Sequence, residues 1–111
     1  MTIRLDSRHK LGEAGAVYEF NVKMRHLRGV NISNEDLYIE TEQAIDRFSE
    51  DLHNRYKWVG NVYQTGRSGG WLAIEDTKGG VRRSTLEAIE KRIQSALTRF
   101  QKDIREQYGT V

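Results

Sequence analysis

"KWVGNVYQTGRSGGWLAIED", residues 57–76, decides the fold. Two β-prone runs, KWVGNVYQT (57–65) and WLAIED (71–76), are separated by five residues, GRSGG. That is hairpin spacing. Glycine supplies positive φ without a side-chain clash, so such turns collect it. Three glycines in five positions still exceed what a turn of this length requires. A loop this open lets another backbone or a phosphate approach its amides.

Helical patterns flank the hairpin on both sides. Before it, Leu37, Thr41, Ala44, Ile45, Phe48 and Leu52 fall on one stripe, as an amphipathic helix requires. Glu35, Glu42, Asp46 and Glu50 fall on the other side. Ser33 is placed to cap the first turn, with Asp36 three residues on as an imperfect capping box, and Ile32 and Leu37 have staple spacing. After the hairpin, Leu86, Ile89, Ile93, Ala96, Leu97, Phe100, Ile104 and Tyr108 keep helical spacing. Ser84 and Glu87 read as its capping box, and Gly109 as its stop.

Further out, VYEFNVKMRH alternates, with Tyr18, Phe20, Val22 and Met24 on one face of a half-buried strand. TIRL (2–5) reads as a short strand before it, with the Gly12–Gly15 region as the turn between. The order is (β)β-α-β-β-α. The expected fold is α+β, a three- or four-stranded antiparallel sheet with two helices packed on one face. All 111 residues form a single domain, with no repeat and no proline.

Composition bounds the function. The absence of cysteine excludes disulfides, thiolate zinc sites and cysteine nucleophiles. No apolar run is long enough to span a membrane, and MTIRLDSRHK lacks a secretory leader's apolar block. The expected location is the cytoplasm. Net charge is +2 at a pI near 9.0, too mild to imply nucleic acid by itself. Its distribution says more. Residues 33–54 carry seven acidic groups against one basic, whereas residues 55–83 carry six basic against two acidic. Such blocks make a two-faced surface.

Catalytic patterns do not assemble. His9, His26 and His53 lack the spacing of a zinc site. GRSGG contains G-x-S-x-G in letters, but a strand follows it where a nucleophile elbow needs a helix. It is not a P-loop, which requires a lysine in place and a following helix. Asp76-Thr77-Lys78 has the acidic-x-Lys lettering of metal nucleases, yet no acidic metal partner lies between Asp51 and Glu75. The expectation is a protein that is not an enzyme and has no cofactor and no metal.

Two binding modes remain. In the first, a protein partner is held by Gly66, Arg67, Ser68, Gly69, Gly70 and Trp71, by the acidic helix face of Glu42, Asp46 and Glu50, or by both. Arginine and tryptophan dominate interface energetics. In the alternative, nucleic acid is held by Lys57, Arg67, Lys78, Arg82 and Arg83, with Trp58, Tyr63 and Trp71 available for stacking. At least one of Trp58 and Trp71 is expected to be buried. An unprotected edge strand would also allow a homodimer.

The run Leu52–Ile74, LHNRYKWVGNVYQTGRSGGWLAI, resembles a segment of small proteins from phages and mobile elements. There an amphipathic helix leads into an aromatic-rich strand and then GRSGGWL. The matching residues are Tyr56, Trp58, Gly66, Arg67, Ser68, Gly69, Gly70, Trp71 and Leu72, within about a fifth of the chain. The resemblance implies a compact phage-encoded protein that binds and blocks a host or defence protein, as an antirepressor or an anti-CRISPR or restriction inhibitor does. It would then act in the host cytoplasm.

Overall fold

The structure, a computed structural model, describes residues 3–5, 15–22, 27–65 and 70–110. Its elements are β1 (Ile3–Leu5), β2 (Val17–Asn21), α1 (Asn34–Arg55), β3 (Val59–Thr65), β4 (Trp71–Asp76) and α2 (Arg83–Tyr108). The four strands form one antiparallel sheet in the order β1-β2-β4-β3. Two hairpins, β1–β2 and β3–β4, are thus joined through their inner strands. The expected α+β class, helix placement and element order all hold, with the short first strand present.

Alternation decides which face is buried. Tyr18 pairs with Ile74, and Phe20 with Leu72. These four side chains share one cluster with Leu52 of α1 and with Leu86, Ile89 and Ile93 of α2. Both helices therefore cover the same sheet face. Tyr18, Phe20, Ile74, Leu52, Leu86, Ile89 and Ile104 have almost no exposed surface. Burying one aliphatic or aromatic side chain contributes about 1.5–3 kcal/mol.

The helices run antiparallel and are fastened at one end. Ser33 Oγ accepts from the Asp36 amide at 3.1 Å, so the expected cap of α1 is present. Gly109 ends α2 at φ 74, and its N–H donates to the Arg105 carbonyl at 2.9 Å. The Asn31 amide then donates to the Gly109 carbonyl at 2.8 Å, and Val30 bridges Thr110.

Two sequence expectations need correction. The Ser84–Glu87 capping box does not form. Arg82 is the extended N-cap residue and its side chain makes no capping bond. Gly79 and Gly80, both at positive φ, deliver Val81 into the core and start the helix at Arg83. Ser84 is then already helical, and Glu87 lies 3.7 Å from Arg83. β3 also begins at Val59, not Lys57. The carbonyl of Trp58 accepts from the amide and the hydroxyl of Thr77, at 2.8 and 2.9 Å, in a turn ahead of the strand. The residues Gly12 and Met24 lie outside the described set.

Candidate binding surfaces

Four of the hairpin residues, Gly66, Arg67, Ser68 and Gly69, lie outside the described residues. Their neighbours locate the loop's ends. Trp71 pairs with Thr65 on one side and Asn21 on the other. The carbonyl of buried Gly70 accepts from Val22 at 2.9 Å. Because Leu72 faces the helices, Trp71 faces away from them. It shares that second sheet face with Glu19, Ala73, Tyr63 and Thr65, whose hydroxyl donates to Glu19 at 3.1 Å.

Neither tryptophan is fully buried, contrary to expectation. Trp58 comes nearer. It packs against the core, edge-on to Tyr18 at 6.1 Å between ring centroids and 5.8 Å from Tyr56. It precedes β3 in a turn and stays partly exposed. Trp71 is half-buried on the sheet face turned away from α1 and α2, where Ala73 is fully buried.

Glu42, Asp46 and Glu50 are exposed along one stripe of α1, and none has an ion-pair or hydrogen-bond partner among the described residues. Sequence reasoning missed what stands beside them. Tyr38 is 64% exposed and Ile39 45% exposed, one helical turn from Glu35 and Glu42. The signal was present: both apolar residues fall off the Leu37–Leu52 stripe. The acidic stripe and Trp71 lie in different layers. They share one end of the molecule, since Gln64 meets Thr41 and Ala44 at a common cavity.

The basic residues divide. Lys57 and Lys78 occupy the turns at the open end of the β3–β4 hairpin, and Arg82 and Arg83 start α2 at that same end. A shallow concavity of about 350 Å³ there is lined by Tyr56, Trp58 and Arg82. Thr65 and Gly70, the described residues on either side of 66–69, lie at the other end of the strands, roughly 20 Å away for a six-residue strand. Lys57, Lys78, Arg82 and Arg83 thus share one end of the β3–β4 hairpin, and Arg67 lies outside the described residues.

Asp76 is committed to structure. It is wholly buried, accepts from the Tyr18 hydroxyl at 2.9 Å, and accepts from the amides of Lys78 and Gly79 at 3.0 and 2.7 Å. It terminates β4 as a turn former. His53 bridges, with Nε2 2.7 Å from the Gly60 carbonyl and Nδ1 3.4 Å from Ser49 Oγ. His9 and His26 lie outside the described residues. Among the described residues no trio of acidic or histidine side chains is placed to hold a metal, and no helix is long and apolar enough to cross a membrane.

Between the helices and the sheet lies an apolar cavity of about 80 Å³, lined by residues including Ile45, Phe48, Leu72 and Leu97. On the outer side of the helix pair runs a trough of about 790 Å³ whose lining includes Arg47, Arg92 and Arg99. Near its end, the Tyr108 hydroxyl donates to Glu40 at 3.1 Å. Desolvation, that hydrogen bond and the carboxylates of Glu40 and Asp36 raise the Tyr108 pKa above its ordinary 10.0. Compared with family models, curated proteins and solved structures, the chain matches none of them.

Proposed function

We propose that this protein is a small, non-enzymatic binding module of the phage type, which docks on a host or defence protein and modulates or inhibits it. The observation that supports this reading most is the α1 flank, where Tyr38 and Ile39 stand exposed beside unpaired carboxylates. An apolar centre with a charged rim is the anatomy of a protein interface. A basic partner surface with an apolar pocket complements it. The GRSGGWL resemblance adds the hairpin as a second contact, with Arg67 and Trp71 as anchors.

The test is affinity capture with the intact protein, followed by binding of the recovered partner to variants. Glu42→Lys/Asp46→Lys/Glu50→Lys should abolish the complex, and Tyr38→Ala should weaken it. Arg67→Ala should cost roughly 1–4 kcal/mol of binding energy for a buried anchor. Unchanged affinity for all three would remove both surfaces from the account.

A second reading, nucleic-acid binding, draws support from Arg82, which lines a concavity with Tyr56 and Trp58 at the end of the hairpin that also carries Lys57, Lys78 and Arg83. Aromatic faces beside cations can stack bases and hold phosphates. Titration with short single- and double-stranded oligonucleotides, followed by tryptophan fluorescence, tests it. Affinity must fall steeply with salt, and absence of binding at low salt rejects the reading.

A further inference from the structure

We propose that the trough between α1 and α2 is a second docking site, one that takes an acidic amphipathic helix and seats one of its apolar side chains in the cavity beneath. The site goes beyond the α1 flank. It uses a different stripe of that helix and the opposite charge.

The cavity and the trough share a boundary. Ala44, Phe48, Ala96 and Phe100 line both. Alanines at two of these four positions leave the space between the helices unfilled, where larger side chains would close it. Ala96 is exposed, although it belongs to the apolar stripe of α2. The inner cavity and the outer trough therefore adjoin across apolar side chains.

Charge selects the occupant. Arg47, Lys91, Arg92 and Arg99 line the trough, and none has an ion-pair partner among the described residues. Of the acids there, Glu40 receives the Tyr108 hydroxyl and Asp51 is paired with Arg55 at 3.2 Å. Asp103 is the remaining acid. An excess of uncommitted cations around an apolar gap fits a partner with acids on one face and aliphatic residues on the other.

Size separates a peptide from a lipid. The inner cavity, about 80 Å³, is smaller than the roughly 150 Å³ that holds a benzene. It suits part of one side chain, not an acyl tail. The outer trough, about 790 Å³, falls within the roughly 300–1,000 Å³ range of binding clefts and offers room for a peptide segment.

The experiment uses the full chain and a labelled helical peptide with leucines along one face and glutamates along the other, followed by fluorescence anisotropy. Saturable binding is expected. Arg92→Glu/Arg99→Glu should weaken it by about tenfold or more, and Ala96→Trp, which plugs the gap from an exposed position, should do the same. The Glu42→Lys/Asp46→Lys/Glu50→Lys protein should bind the peptide as the parent does, which keeps this site separate from the α1 flank. Circular dichroism of each variant confirms that it is folded. Failure of the peptide to bind overturns the proposal. So does equal binding of a leucine–lysine peptide, or indifference to both sets of substitutions in folded variants. If an oligonucleotide binds with the same arginine dependence while the peptide does not, the surface belongs to nucleic acid and the proposal falls.

Discussion

Tyr18 and Asp76, 58 positions apart, meet inside the protein with no exposed surface on either side chain, the phenol donating to Oδ2 at 2.9 Å. The other carboxyl oxygen holds the amides of Lys78 and Gly79. One side chain thus joins the central strands and shapes the turn that leads to α2. Tyr18→Phe should cost about 1–3 kcal/mol, since it leaves a buried acceptor short of a partner. Asp76→Ala should cost more, because it removes the acceptor of the hydroxyl and of two amides together. Urea unfolding measures both, as a lowered midpoint at unchanged slope.

Gly60 is a steric requirement at the open end of the β3–β4 hairpin. A Cβ built there lies 2.8 Å from Thr77 Cγ2 and 3.3 Å from Glu75 Cβ. Gly60→Ala should destabilise by roughly 1–3 kcal/mol through overpacking. Thr77→Ser removes the offending methyl and keeps the hydroxyl that donates to the Trp58 carbonyl. In the double variant most of the loss should return, and a double-mutant cycle would read that coupling. Simple additivity would show that the clash is not the cause.

The two helix starts should respond differently to the loss of a serine. Ser33→Ala removes the hydroxyl that accepts from Asp36 and should cost about 1 kcal/mol. Ser84→Ala removes no cap, because Arg82 occupies that position, and should change stability by less than about 0.5 kcal/mol. Thermal or urea unfolding of the two variants side by side measures the difference.

Tyr108 should titrate above 10.0 in ultraviolet difference spectra, for the reasons of desolvation and adjoining carboxylates. Glu40→Gln should bring it back toward the ordinary value. The folded state holds the phenolic proton more tightly than the unfolded chain. Its stabilising contribution is therefore full below the unfolded pKa and is lost as pH rises from about 10 through the folded value. Glu40→Gln should flatten that alkaline decline in stability.

The fold was legible where the hydrophobic period was long. Tyr18, Phe20, Leu72 and Ile74 alternate in sequence and form the buried sheet face, and the two helical stripes cover it. Local bonding competition was harder to read. Ser84 and Glu87 carry capping-box letters, but the positive-φ pair Gly79–Gly80 and the burial of Val81 set where α2 begins. The surfaces were legible in part. The acidic stripe follows from spacing alone. The placing of Lys57, Lys78, Arg82 and Arg83 at one end depends on how the β3–β4 hairpin and the start of α2 come together. The cavity beneath Ala44 and Ala96 depends on packing between distant segments, which no local pattern encodes.

The β2–β4 pairing carries a kinetic consequence. β4 completes a hairpin with its sequence neighbour β3, and α2 follows directly, so this part of the chain forms through local contacts. β2 can pair at once with β1, but its inner partner β4 is made about fifty residues later, and closing a loop of that length precedes any gain from that pairing. On a ribosome that gap is several seconds of synthesis at roughly 5–20 residues per second. During that time Tyr18 and Phe20 have only the three-residue β1 beside them, and the nascent chain carries their apolar surface without the central strand and the helix α2 that later cover it.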